Sequence, residues 1–285
     1  MTQARRYLPG TAIELINGSV PVGHIKYGLF DFDGTISLLR QGWQEVMIPM
    51  MCSLLEEASP DEPPEAIRAL VKGFVDDLTG KQTIFQMIEF CNQLRARGAQ
   101  AEDPTHYKKM YLDLLWQKIR GRVEGVKSGA IPQEAMLVPG ARAMLEALRD
   151  RGVRLYLASG TDQPFVLDEA EALGVAPLFE GIYGATDNEK NLTADKVVDI
   201  KSLVIKRIIA DHEMCGEELI GCGDGFVEIQ RTKQVGGIAI GAAVDELGLE
   251  EVDEWKRERL IGVGADFIIP HFRQWQPLVQ FLFPD

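Results

Sequence analysis

Two carboxylates stand two residues apart at the end of an apolar run, Asp31 and Asp33 in Gly-Leu-Phe-Asp-Phe-Asp-Gly-Thr-Ile, a placement that suits chemistry better than packing. The spacing predicts a buried strand over 27–32, and Gly34-Thr35 lets the backbone turn sharply at its end. Both acids then emerge at the carboxyl edge of a sheet, where ligands of open α/β sheets bind. Alternation along a strand puts residues i and i+2 on the same side, so the two carboxylates can share one small site. Carboxylates that close repel, and a divalent cation is the usual remedy. An Asp-Gly turn that merely caps a helix accounts for one of these acids but not for both.

These residues resemble the first motif of the haloacid dehalogenase superfamily of aspartate-nucleophile phosphohydrolases, Asp-x-Asp-Gly-Thr after an apolar strand, here Asp31-Phe32-Asp33-Gly34-Thr35. The resemblance implies that Asp31 attacks phosphorus to give an aspartyl-phosphate, and that Asp33 works as general acid and then base. A carboxylate is a weak nucleophile, yet it can open a phosphoester once metal and fixed donors neutralise the phosphoryl oxygens. Asp33 also speaks against two branches of the superfamily, because dehalogenases lack this Asp and ion-pumping ATPases carry Thr there. A phosphoester substrate follows.

Three further motifs are expected in fixed order, and each has a counterpart. A strand predicted over 153–158 ends in Ser159-Gly160-Thr161-Asp162, which resembles the second motif: Ser159 and the Gly160 amide would bind the phosphoryl group, although such a turn also serves as an ordinary helix N-cap. For the third, a lone Lys that pairs with phosphate and nucleophile, Lys201 at the start of a helix predicted over 202–210 is the choice, with Lys206 and Lys196 as alternatives. An apolar strand over 218–221 leads into Cys222-Gly223-Asp224-Gly225-Phe226-Val227-Glu228, the fourth. The metal set implied is Asp31, Asp224 and the Asp33 carbonyl around Mg²⁺. Glu228 departs from the commoner Asp, so it touches the metal directly, touches it through water, or only orients Lys201. Gly221-x-Gly223-x-Gly225 is no dinucleotide fingerprint, since its third glycine falls one position early.

The elements that must position these residues predict an α/β fold: a doubly wound parallel sheet, Rossmann-like, with an inserted all-α cap domain. The resemblance implies a core of residues 1–37 and 138–285 and a cap of residues 38–137. Between them, 46–57, 65–78, 81–97 and 105–122 carry helical apolar periodicity, separated by Pro60, Pro63-Pro64, Thr79-Gly80 and 98–104. The resemblance implies a lid that keeps bulk water from the aspartyl-phosphate, with hinges near 37–41 and 136–139 and substrate choice set by cap residues such as Trp43, Gln44, Lys81, Gln82 and Arg122. Segments 236–242 and 265–269 read as further buried strands, Lys256-Arg257-Glu258-Arg259 as a solvated helix face, and 12–15 with 19–22 around Asn17-Gly18 as a β-hairpin that could extend the sheet or meet a second subunit.

With 285 residues, 46% hydrophobic content and a formal charge of −13, the chain suits a globular protein with one large core and not a nucleic-acid or anionic-membrane binder, and the resemblance implies a Mg²⁺-dependent phosphatase of small phosphorylated metabolites. Four cysteines without metal-ligand spacing read as free thiols of a reducing compartment, and the absence of a signal-like or membrane-length apolar run makes the cytoplasm the expected location. A monomer or homodimer is expected. The nearest rival reading is a phosphomutase acting on a sugar phosphate with the same residues. A phosphonate hydrolase would need a Schiff-base Lys, for which Lys81 is the passable candidate, and a non-catalytic phospho-switch is argued against by the inserted cap.

Overall fold

The computed structural model describes residues 5–186, 193–197 and 199–284. Seven strands form one sheet: β1 (Glu14–Leu15), β2 (Tyr27–Phe30), β3 (Arg154–Asp162), β4 (Gly181–Ala185), β5 (Leu219–Gly223), β6 (Ile238–Ala242) and β7 (Phe267–Ile269). Their spatial order is β1-β7-β6-β5-β2-β3-β4, parallel throughout except for antiparallel β1. From β2 the chain first builds outward through β3 and β4, then returns to the other side of β2 for β5. The carboxyl ends of β2 and β5 thus flank the point where winding reverses, which opens a crevice there. Leu29, Phe30 and Phe32 are fully buried, as a strand covered on both faces requires.

The first four helices after β2 are α1 (Gln44–Ala58), α2 (Pro64–Leu78), α3 (Thr83–Ala96) and α4 (Pro104–Lys127). They pack on one another through apolar faces, among them Met51, Val71, Met87 and Leu115, and form a helical layer above the sheet's carboxyl edge. The chain segments leading in and out run side by side: Leu38 N donates to Met136 O (2.9 Å), Val138 N donates to Ile36 O (2.9 Å), and Ser37 bridges Leu137. The core helices are α5 (Ala141–Asp150), α6 (Gln163–Ala172), α7 (Ile200–His212), α8 (Phe226–Gln234), α9 (Glu254–Gly262) and α10 (Trp275–Leu282). Among the described residues no helix is long and apolar enough to cross a membrane.

Three expectations need correction. The 19–22 half of the hairpin is not a strand; the turn forms, with Ser19 N donating to Asn17 Oδ1 (3.0 Å), but β1 pairs with β7 instead, and Asn17 Nδ2 donates to Asp266 Oδ1 (2.9 Å) as a tertiary anchor. β3 does not end at Ala158 but continues to Asp162, with a register shift against β4 that re-aims residues 159–161. The Lys-Arg-Glu-Arg run is not wholly solvated: Lys256 is buried against Asp224 and Glu246, and Arg257 forks onto buried Glu14 at 2.6 and 2.7 Å.

The four thiols are free, with Cys52, Cys91 and Cys222 buried and Cys215 exposed. Burial raises the pKa of all three interior thiols, that of Cys91 to about 11, so reactive thiolate stays scarce in them at pH 8. A thiol reagent at pH 8 is expected to modify one cysteine quickly in the native chain and the remaining three only on unfolding. Rapid labelling of more than one would contradict this burial.

Candidate active site

The crevice at the winding reversal is built from the ends of β2, β3 and β5. Asp31 N donates to Cys222 O (2.9 Å), which fixes the first acid beside β5, and the amides of Ile36 and Ser37 turn back onto Phe32 O. Gly34 has φ +73°, and a Cβ there would fall 2.5 Å from Asp224 Oδ2, so the turn needs glycine for both conformation and space. Thr35 locks the two strand ends together: its hydroxyl accepts from Asp224 N (2.9 Å) and reaches Asp224 Oδ1 (3.5 Å).

Lys201, in the first turn of α7, is 2% exposed and sets its ammonium 3.1 Å from Asp31 Oδ2 and 2.6 Å from Glu228 Oε2. Lys196 and Lys206 are exposed and make no contact with these acids. Glu228 is fully buried in the first turn of α8, where it also accepts from Gly225 N (2.8 Å). Ligand atoms of Asp31, Asp224 and Glu228 all lie within 4.8 Å of one another. An all-oxygen set this tight, with so many buried carboxylates, suits a hard divalent cation such as Mg²⁺.

The Asp33 carboxyl faces a different quarter. Its Oδ2 accepts from Thr161 Oγ1 (2.8 Å) and Ser159 Oγ (3.2 Å), and its Oδ1, 3.8 Å from Arg40 Nε, is buried without a hydrogen-bond partner. Arg40 in turn is held by Glu169 of α6 through Nε and Nη2, the latter at 2.7 Å. The two acids of the first motif therefore have separate surroundings: one among acids and lysine, the other among hydroxyls.

The helical layer closes over them. Its 79–82 loop reaches the core so closely that a Cβ on Gly225 would lie 2.7 Å from Gly80 Cα, and one on Gly160 would lie 2.8 Å from Lys81 O. Lys201 Nζ also donates to Gly80 O (3.4 Å). Beneath the loop is a cavity of about 90 Å³ that takes in Asp31, Asp33, Asp224, Ser159, Gly160 and Lys201.

Residues 25–236 match the family model for haloacid dehalogenase-like hydrolases. The chain belongs to that family. Among solved structures, this hydrolase is similar to a predicted phosphoglycolate phosphatase from Haemophilus somnus (17% identity, TM-score 0.55, covering 91% of this chain and 100% of the other). It is similar also to a predicted phosphatase from Clostridium acetobutylicum (18%, 0.56, 90% and 99%) and to a beta-phosphoglucomutase from Clostridium difficile (14%, 0.54, 90% and 97%). These likenesses share the fold, a Rossmann-like core with a helical cap. No curated protein sequence matches the chain.

Electrostatics of the hydrolase site follow from burial. Desolvation drives the Asp31 carboxyl well above the ordinary carboxylate range, and neighbouring Glu228, Asp224 and Asp33 push the same way against Lys201. Burial works against the Lys201 ammonium too, but Asp31 and Glu228 outweigh it and hold its pKa above the usual lysine value. Lys201 therefore stays charged.

Of the residues predicted to choose substrate, Trp43 and Lys81 line the cavity. Gln44 instead bonds Asp76 (3.3 Å), Arg122 donates to Leu39 O and Gln41 O, and Gln82 lies in a neighbouring cavity. Sequence reasoning missed Arg40, Thr161, Gln86, Tyr111 and the Lys256–Glu246 pair behind Asp224. Thr161 had a signal, since it lies within the motif that names Ser159. The others come singly from separate elements and carry none.

Proposed function

We propose that this hydrolase is a Mg²⁺-dependent phosphatase of a small phosphorylated metabolite, working through an aspartyl-phosphate on Asp31. The observation that carries the proposal is the separation of the two acids: Lys201 and the acid cluster around Asp31, hydroxyls and Arg40 around Asp33. A nucleophile and a proton carrier need such different surroundings.

Asp31 Oδ attacks phosphorus, and the P–O bond to the leaving group breaks. Asp33 gives its proton to the departing alkoxide, so the alcohol leaves neutral. Asp33, now a carboxylate, takes a proton from water as that water attacks phosphorus. The P–O bond to Asp31 breaks, orthophosphate is released, and both side chains return to their starting states. Ser159, the Gly160 amide and Lys201 hold the phosphoryl oxygens, while Thr161 keeps the Asp33 carboxyl aimed at the leaving group. Asp31, Asp224 and the Asp33 backbone carbonyl would hold Mg²⁺, which when bound neutralises charge on the phosphoryl oxygens. Glu228 orients Lys201. Residues 38–137 act as a cap that moves against a core of 1–37 and 138–285, with hinges where the paired connecting segments cross.

A phosphomutase would use the same side chains and differ in returning the phosphoryl group to substrate. The 90 Å³ cavity favours the phosphatase, since it is far below the roughly 300–1,000 Å³ of pockets for drug-sized ligands and leaves little room for a hexose beside the phosphoryl group. The test is phosphate release from a panel of phosphorylated metabolites with Mg²⁺. Steady turnover is expected, lost with a chelator and restored by added Mg²⁺. Release that ignores the chelator, or release from no ester at all, would count against the reading.

A further inference from the structure

The cavity has a second wall that the chemistry above does not use, formed by Arg40, Trp43, Met47, Gln86 and Tyr111 from four different places in the chain. Gln86, on α3, is 3% exposed, and its amide oxygen is buried with no hydrogen-bond partner. A buried acceptor left unpaired is costly, and such an atom in a cavity wall points to a donor supplied by the ligand. Tyr111, on α4, is also 3% exposed, and its hydroxyl makes no hydrogen bond among the described residues. Arg40 commits Nε and Nη2 to Glu169, and Nη1 has no partner among the described residues. The wall therefore offers an acceptor, a hydroxyl and the two N–H donors of Arg40 Nη1, set against the apolar faces of Trp43 and Met47.

Charge on this wall is already matched. Arg40 faces two carboxylates, Glu169 and Asp33, and Lys201 faces another two, Asp31 and Glu228. Lys81, the remaining cation of the lining, has no acidic partner among the described residues, but its ammonium lies over the rings of Phe85 and Phe226 at 5.2 and 5.9 Å. Those two rings border the neighbouring cavity and not this one. A second anionic group on the substrate would find one cation without an acid, Lys81, whose ammonium is turned onto the rings of the neighbouring cavity, whereas a hydroxyl would find partners on this wall.

Resting on the phosphatase reading, we propose that Gln86, Tyr111 and Arg40 form a subsite for a short, uncharged, hydroxylated leaving group, so that esters of small polyols are preferred over phosphorylated carboxylic acids. The hydroxyl donates to the Gln86 amide oxygen, and its own oxygen accepts from Tyr111 or Arg40 Nη1. Cavity size limits the leaving group to a few carbons.

The experiment compares glycerol 1-phosphate, n-propyl phosphate and 2-phosphoglycolate with the full-length protein and Mg²⁺. Glycerol 1-phosphate should lead both others in kcat/KM by at least about tenfold, the worth of one well-made hydrogen bond to a buried group. In Gln86→Met that lead should shrink to near parity, mainly through KM. Equal or faster turnover of propyl phosphate or phosphoglycolate by the wild type overturns the subsite, whether or not the variant folds. Calorimetric binding of the same three esters to Asp31→Asn separates this proposal from the hydrolase reading. Preferred binding of glycerol 1-phosphate without hydrolysis of any ester by the wild type would keep the subsite and sink the phosphatase; equal binding of all three would sink the subsite alone.

Discussion

Asp31→Asn is expected to lower phosphate release by about 10⁴-fold or more, the scale on which a nucleophile's removal is felt. An amide oxygen cannot form the phosphoryl ester, and no neighbour can take over, because Asp33 points toward Ser159 and Thr161 and Glu228 is held by Lys201 and the Gly225 amide. Stability should move the other way. The folded-state pKa of Asp31 is raised, so the fold favours its neutral form; the ionised form destabilises the chain, and this penalty grows as pH rises through the unfolded value toward the folded one. At neutral pH the metal-free Asp31→Asn protein should thus melt no lower than the wild type, since Lys201 still has Glu228. Thermal melts with chelator check the second half, and single-turnover phosphate release checks the first. Turnover within tenfold of wild type would remove Asp31 as nucleophile.

Gly225→Ala should cost about a hundredfold in kcat/KM although it deletes no functional group. Its φ of −89° suits alanine, so the backbone is not strained by the change. The new Cβ would stand 2.7 Å from Gly80 Cα, and backbone on both sides cannot swing away as a side-chain tip would. The 79–82 loop must lift, and with it go the Gly80 carbonyl at Lys201 and the roof of the cavity. Displacements near 1 Å in such sites cost roughly 10² in rate. Hydrogen exchange over 79–83 should quicken in the variant while the sheet stays protected. Wild-type kinetics in Gly225→Ala would show that close approach of this loop is unnecessary for turnover.

What could be read in the sequence was whatever one segment carries by itself. Asp31 and Asp33 announce a sheet edge because an apolar run, an alternation and a Gly-Thr turn occur within nine residues. The four inserted helices were legible from periodicity, with α4 running to Lys127 rather than stopping near Arg122. Lys201 needed chain order to single it out, and its contacts with Asp31 and Glu228 needed the fold. Lys256 was misread because a charge run usually faces water; two acids from distant segments, Asp224 and Glu246, draw it inward. The hairpin around Asn17-Gly18 was misread for the same reason: the turn forms, but β7 and Asp266, far along the chain, take the pairing that 19–22 was expected to make. Arg40, Gln86 and Tyr111 share a wall only because three packed elements converge, and no spacing in the chain encodes that.

The paired segments at Ser37 and Leu137 also bear on how the chain finds its fold. Neighbouring strands β2 and β3 are separated by the whole helical layer, and closing so long a loop before any contact rewards it is entropically unfavourable. If the helices pack first and bring 36–38 against 136–138, the two strands meet as if joined by a short turn. Local helix formation would then set the pace, and a parallel sheet that is intrinsically slow to nucleate would inherit the speed of the bundle inserted into it.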